Sequence, residues 1–143
     1  MSPSADRRVE DILALPETAE LSFSADPDLV MLARMVAAAT ASRAGFNIEQ
    51  VEDLRLAVNE LCLGLIGAPT AEGRLEVCFA WGEDTVEVVA RHHRQREPSG
   101  SAARSRATEE ELSTRILDTL VDEYGVEHGS STPQAWLRVR RRA

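Results

Sequence analysis

The sequence predicts an α+β fold of two layers, in which a mixed and largely antiparallel sheet carries helices on one face. The first observation is the order of hydrophobic patterns along the chain, which reads strand, helix, helix, strand, strand, loop, helix, strand. The second is a hairpin signal, because the alternating runs at 74–81 and 85–92 are separated only by Gly-Glu-Asp. The third is the absence of a Gly-x-Gly-x-x-Gly motif and of regular strand–helix–strand alternation, which argues against a Rossmann fold.

Length and composition indicate one soluble domain. The chain has 143 residues, of which 43% are hydrophobic and 28% charged, and the scarcity of aromatic residues predicts an aliphatic core. A net charge of −8 disfavours binding to nucleic acid or anionic membranes and favours a basic protein surface as partner. All 16 basic residues are arginine, so sites that require lysine, such as a phosphate-binding P-loop or a Schiff base, are excluded.

The cysteines and the hydropathy pattern predict a cytoplasmic protein. Cys62 and Cys78 form no Cys-x-x-Cys motif and have no spaced histidine partners, so free buried thiols in a reducing compartment are expected. No apolar run approaches the roughly 20 residues of a membrane-spanning helix, and the first fifteen residues lack the apolar core of a signal peptide.

The chain is predicted to divide into an N-terminal tail at 1–18 and a single domain at 19–143. The tail contains the short amphipathic stretch "RRVEDILAL", which is either a frayed end or an arm that lies on a partner. A half-buried strand is predicted at 19–26, and Asp26 then caps a helix with Pro27 at its first position. Gly45 ends this helix, whose apolar stripe is predicted to be Leu29, Leu32, Ala33, Val36 and Ala37.

The second helix is predicted to begin at the N-cap Asn47 and to close near Gly67. From about Leu54 onward it is expected to be nearly surrounded by core, because apolar residues lie on more than one of its faces. Its main stripe is Val51, Leu54, Val58, Leu61 and Leu65, and the further apolar residues are Leu56, Leu63 and Ile66.

The C-terminal part begins with an arginine-rich stretch that contains no large apolar side chain. A mobile lid is predicted at about 92–107, because such a segment cannot bury itself. Thr108 and Glu111 are predicted to form a capping box for a helix that ends at Gly125. The sequence also allows a short additional strand near Val126. The final strand contains "RVRRR" and is interpreted as an edge strand with outward-facing charges.

Three segments together resemble a known family. The helix "VEDLRLAVNELC", the stretch "STRILDTLVDEYGVEHG" and the strand "AWLRVRRR" resemble the anti-sigma factor serine-protein kinases of the GHKL ATPase superfamily, which have the Bergerat, or histidine kinase-like ATPase, fold. The resemblance implies a protein that holds a sigma factor away from RNA polymerase, usually as a homodimer. It also implies that many members use ATP and magnesium to phosphorylate a serine on a small antagonist protein.

The resemblance also implies where a nucleotide site would lie. The family has a Glu-x-x-x-Asn pair on its central helix, with the glutamate positioning a nucleophile and the asparagine holding the metal. Glu60 matches the glutamate, but Gly64 stands where the asparagine is expected, and Asn59 is about 100° away around the helix. The adenine-binding box falls near His92 and His93 without its Asp-x-Gly-x-Gly motif.

The last family motif, a glycine-rich turn before the final helix, is replaced by "ATEEEL". Its three acids, 109–111, would repel a triphosphate. The residues that the resemblance places around a nucleotide are Glu60, Gly64, His92, His93, Arg94 and Arg104, with Glu60 catalytic only in an active enzyme.

We therefore expect a regulatory protein that sequesters a sigma factor and binds ATP weakly or not at all, without magnesium. Two alternatives stay open, an active serine kinase that phosphorylates the antagonist and a non-catalytic nucleotide sensor. Simpler interpretations of the same residues also stand. In these interpretations, Glu60 is a polar residue at the mouth of a vestigial pocket. The His92–His93 pair is an exposed strand end, and the arginine segment is a solvated lid.

Overall fold

The structure is a computed structural model that describes residues 15–67, 72–94, 115–127 and 132–142. The first half contains β1 (Glu17–Ser24), a 3-10 turn (Pro27–Leu29), α1 (Val30–Arg43) and α2 (Ile48–Ile66). The second half contains β2 (Arg74–Trp81), β3 (Thr85–His93), α3 (described over 115–120), β4 (Glu123–Glu127) and β5 (Gln134–Arg140).

The five strands form one sheet in the order β1-β2-β3-β5-β4, and every neighbouring pair is antiparallel. Helix α1 packs on β2, and α2 packs on β3 and β5, so both helices lie on the same face of the sheet. This arrangement confirms the predicted α+β sandwich. Along β2, the inward residues Leu75, Val77 and Phe79 are fully buried, as strand alternation requires.

Two of the three predicted helix caps are confirmed, and the third, the capping box of Thr108 and Glu111, lies outside the described residues. The Asp26 carboxylate accepts a hydrogen bond from the Asp28 backbone N–H at 2.9 Å and opens the 3-10 turn that leads into α1. The Asn47 side-chain oxygen accepts from the Gln50 backbone N–H at 2.8 Å at the start of α2. Gly45 has a φ of 81° just beyond α1, where a left-handed residue ends the helix.

The prediction that core nearly surrounds α2 is wrong for one side of the helix. Ile66 is buried, but Leu63 is half-buried and 45% of Leu56 is exposed. The predicted stripe of α1 is also wrong at Leu32, which is 36% exposed. The helices form a single layer, so their outer sides have no further layer to pack against. In the described part of the chain, no helix is both long and apolar enough to cross a membrane.

Two predictions for the C-terminal strands need correction. The last helix does not continue to Gly125, because the described helix stops at residue 120 and Gly125 lies in β4, opposite Trp136 of β5. A Cβ atom on Gly125 would lie 2.6 Å from the indole nitrogen, so glycine is required by cross-strand packing. The strand that contains "RVRRR" is not an edge strand, since β5 lies between β3 and β4.

Candidate functional site

Helix α2 brings Glu60 and Gly64 onto one face, one turn apart, and both residues are half-buried. They share this face because a four-residue step nearly completes a helical turn. Gly64 has no side chain, so α2 supplies no side-chain oxygen one turn beyond the Glu60 carboxylate. The Glu60 face therefore contains an acid without the paired oxygen donor that the resemblance implies.

Asn59 lies on a different side of α2, next to α1. It lines a cleft of about 180 Å³ together with Arg34 of α1 and three residues of α2, Glu52, Arg55 and Leu56. Glu60 does not line this cleft. The position of Asn59 agrees with the expectation that its amide cannot stand beside the Glu60 carboxylate.

His92 and His93 are the last two residues of β3, and strand alternation sends their side chains to opposite faces of the sheet. The His92 ring is buried beneath the helices, with Nδ1 3.0 Å from the Leu65 carbonyl oxygen and Nε2 2.9 Å from the Glu72 carbonyl oxygen. His93 is exposed on the outer face, 3.8 Å from the Glu76 carboxylate. Reading the pair as an exposed strand end is therefore wrong for His92. Their assignment to nucleotide binding stays a prediction.

Arg94 directly follows β3 and is half-buried. The other candidate on this segment, Arg104, lies outside the described residues. The same is true of most of the predicted lid (92–107), of the acids at 109–111 and of the N-terminal arm before residue 15.

The described residues contain no group of three or more His, Cys, Asp or Glu side chains that could hold a metal ion. Cys62 and Cys78 are free thiols, as predicted, but only Cys62 is buried, because Cys78 is half-buried. Burial raises the pKa of Cys62 to about 12, and burial followed by repulsion from Glu20 and Glu76 raises the pKa of Cys78 to about 11. Both thiols are protonated at neutral pH and are poor metal ligands.

Among the described residues, α2 does not supply the paired oxygen ligands that the resemblance implies for a magnesium–nucleotide centre. Magnesium is held by oxygen atoms in an octahedral arrangement, and Gly64 offers no side-chain oxygen one turn beyond the Glu60 carboxylate. The nearby His92 ring has both nitrogens at hydrogen-bond distance from backbone carbonyl oxygens. We therefore assign no chemical step to a bound metal.

The α1–α2 cleft is a feature that sequence reasoning missed. Leu56, which lines it, is 45% exposed, and Met31 and Met35, within one turn of Arg34 on α1, are 49% and 61% exposed. A signal was present, since Met31 and Met35 are four residues apart and fall outside the predicted apolar stripe of α1.

Comparison with known proteins agrees with this fold. The sequence profile of the histidine kinase-like ATPase domain matches residues 23–140. The serine-protein kinases RsbW of Bacillus velezensis and Bacillus subtilis are 27% and 25% identical to the chain over 133 residues, which is 83% of this chain and 83% of each relative. The RsbW of Bacillus pumilus is 32% identical over 75 residues, 49% of this chain and 46% of that protein. Since the matched region runs from β1 to the end of β5, the chain belongs to the histidine kinase-like ATPase domain family and is a distant relative of the RsbW kinases.

Proposed function

We propose that this protein is a cytoplasmic anti-sigma-factor-like regulator that sequesters a sigma factor by direct binding. In this proposal a small antagonist protein competes for the same regulator, and the nucleotide pocket is degenerate. Two neighbouring features of α2 carry the proposal. Glu60 has no side-chain oxygen donor one turn later at Gly64, whereas Leu56, one turn before Glu60, is exposed and lines a cleft with arginines.

The surface that supports binding, which we call the docking face, consists of Met31, Leu32, Met35 and Leu56. Each of these side chains is at least one third exposed, which is unusual for large apolar residues grouped on two neighbouring helices. Methionine side chains are flexible and polarizable and adapt to the shape of a bound helix. The docking face therefore suits an amphipathic helix laid across α1 and α2.

Charge beside the docking face indicates the chemistry of that helix. Arg34 and Arg55 line the cleft next to Leu56. Arg55 donates to Glu52 at 3.0 Å through Nη1, while its Nε is buried without a hydrogen-bond partner. A carboxylate is the natural acceptor for such guanidinium groups. We infer that the occupant is a sigma-factor helix that presents apolar residues and at least one acidic residue.

The first prediction concerns this contact. Arg34→Glu is expected to weaken sigma-factor binding about thirtyfold, which corresponds to about 2 kcal/mol, because it replaces an attractive charge with a repulsive one beside an apolar anchor. Binding of purified stress-type sigma factors is measured by biolayer interferometry, with circular dichroism to verify folding.

Met35→Ser tests the apolar part of the same face. Arg43→Glu is the matched control, since Arg43 lies on α1 with its side chain 69% exposed and outside the docking face. Equal affinities for the Arg34→Glu and Arg43→Glu variants would rule out the docking face. Failure of every sigma factor to bind the native protein would rule out sequestration itself.

The second candidate function is an active serine kinase, favoured by the presence of Glu60 and by the names of the RsbW relatives. We predict that labelled phosphate is not transferred from ATP to an antagonist at a rate that depends on Glu60. The assay compares the native protein with Glu60→Ala and with Glu52→Ala, an exposed acid on the same helix. Loss of transfer in Glu60→Ala alone would reverse the ranking of the two functions.

A nucleotide sensor would differ from both the sequestering regulator and the kinase. In calorimetric titrations it would bind ATP tightly without turning it over. Our proposal expects weak ATP binding that magnesium does not strengthen, because Gly64 provides no side-chain oxygen beside Glu60 and the described residues contain no group of three or more His, Cys, Asp or Glu that could hold a metal ion.

We also propose a homodimer. In the described part of the sheet, β1 pairs only with β2, so its other edge is available to a second copy.

A further inference from the structure

Ile48 is the most exposed large apolar side chain in the described part of the chain, at 85% exposure. It is the first residue of α2, directly after the cap Asn47. The Asn47 hydrogen bond already defines the start of the helix, so capping does not require an apolar residue at the next position. A single exposed apolar residue is ordinary, so the meaning of Ile48 depends on the residues beside it.

Four further residues of α2 lie on the same side of the helix as Ile48. Each residue of an α-helix turns the chain by about 100°, so steps of four, seven, eight and eleven residues return to within about 80° of the start. Together with Ile48, the residues at these steps form the α2 stripe, which consists of Ile48, Glu52, Arg55, Leu56 and Asn59. The last four line the cleft beside α1. The cleft and Ile48 are therefore parts of one surface that runs along α2.

The α2 stripe has an apolar residue at each end of two helical turns. Ile48 and Leu56 are eight residues apart, which corresponds to about 12 Å along the axis. Between them the stripe is charged, because Arg55 donates to Glu52 at 3.0 Å. In a second helix laid beside α2, residues seven or eight positions apart share one face at nearly the same separation. The stripe therefore matches a helix with two apolar residues two turns apart.

The charged middle of the stripe indicates what lies between those two apolar residues. The Nε atom of Arg55 is buried without a hydrogen-bond partner, and Arg34 of α1 adds a second guanidinium group to the cleft. Two arginines beside the single acid Glu52 leave the cleft with a positive charge, although the whole chain carries −8. An acidic residue on the middle turn of the second helix would offset this charge, whereas a basic residue would face two guanidinium groups.

The neighbouring end of α1 leaves room for such a helix. A four-residue turn, 44–47, joins α1 to α2, so the end of α1 lies beside the start of α2. Ala39 and Ser42 are exposed at this end and are small, which permits a close approach of a second helix. The larger Arg43 pairs with Glu17 of β1 at 3.6 Å, which holds its side chain toward the edge of the sheet.

We propose that the α2 stripe binds a partner helix that presents two apolar residues seven positions apart and an acidic residue on the turn between them. Ile48 contacts one apolar residue and Leu56 the other, while Arg34 and Arg55 bind the acid. The identification of this helix as part of a sigma factor rests on the proposed function. The binding surface itself can be tested without a sigma factor.

Designed peptides test the pattern directly. The probe is a fluorescent, alanine-rich helical peptide with leucines seven positions apart and a glutamate four positions after the first leucine. Its binding to the full chain is measured by fluorescence anisotropy. A peptide with lysine in place of the glutamate is expected to bind about tenfold more weakly, because its charge faces the two arginines. Equal affinities for the two peptides, or no binding of either, would overturn the proposal.

The variant Ile48→Ser tests the end of the stripe. It is expected to weaken binding of the two-leucine peptide about tenfold, because the isoleucine no longer buries apolar surface against the peptide. Whichever leucine lies against Ile48, one of two peptides that each keep a single leucine should bind this variant and the native protein equally. Val126→Ser is the matched control, since Val126 is 43% exposed and lies on β4. Equal affinities of the Ile48→Ser and Val126→Ser variants for the two-leucine peptide would overturn the role of Ile48.

The same variants separate this inference from the proposed function. Sigma-factor binding that is weakened by Arg34→Glu but not by Ile48→Ser would retain sequestration and remove Ile48 from the interface. Peptide binding with the expected pattern, without binding of any sigma factor, would retain the α2 stripe as a helix-binding surface and overturn sequestration.

Discussion

Gly73→Ala is expected to destabilise the protein by about 3 kcal/mol or more. Gly73 has a φ of 102°, a conformation that L-residues with a Cβ atom rarely adopt. A Cβ atom there would lie 2.0 Å from the His93 carbonyl oxygen and 3.1 Å from the Arg94 Cα. These neighbours are backbone atoms, so the clash can be relieved only by moving the end of β3 away from the start of β2.

The loss should be measured by urea unfolding. Gly82→Ala is the matched control, because Gly82 has no positive φ and its Cβ would meet only the Pro16 ring at 3.6 Å. We expect this control to lie close to the native protein. Equal stabilities of the two variants would show that the β2–β3 end tolerates displacement. Gly73 also accepts a hydrogen bond from the Ala25 N–H at 2.9 Å, so the damage should extend to the end of β1.

Arg138→Ala is expected to cost about 3–5 kcal/mol, because it leaves the Glu87 carboxylate buried without its cation. Arg138 contacts Glu87 at 2.6 Å through both Nε and Nη2, and only 5% of the Glu87 side chain is exposed. The second Glu87 oxygen is already buried without a hydrogen-bond partner. Removal of the guanidinium therefore leaves a charge that neither water nor protein neutralises.

The double variant Glu87→Leu with Arg138→Met separates two explanations of that loss. If the cost comes from an uncompensated charge, the double variant should recover most of the stability, since apolar residues of similar size often replace a buried ion pair without loss. If the double variant is as unstable as Arg138→Ala, the packing of the arginine itself is responsible. Arg43→Ala, which removes an exposed pair with Glu17 at 3.6 Å, should change stability by less than about 0.5 kcal/mol.

Local signals predicted the elements whose causes are themselves local. Asn47 caps α2 through its own side chain, and the alternation of β2 and β3 follows from one buried face. Glu60 and Gly64 share a face of α2 because of helical geometry alone. Residue order alone therefore places both the acid and the missing oxygen donor.

Signals that depend on distant partners were interpreted wrongly. The stretch before Gly125 has helical periodicity, yet Glu123–Glu127 forms β4 because β5 supplies a hydrogen-bonding partner that no local pattern shows. The arginines of β5 suggested an edge strand. Arg138 is instead half-buried between Glu87 of β3 and Glu123 of β4, which neutralise it in the interior of the sheet.

The fold class, the capped helix with its Glu60 and the absence of lysine chemistry follow from residue order and periodicity, because these patterns report which side of an element is buried. Three further features required the packed chain. They are the place of β5 between β3 and β4, the exposed docking face and the burial of the His92 ring between two carbonyl oxygens. Each arises from contacts between segments that are remote in sequence, and such contacts leave no periodic trace in the segments that make them.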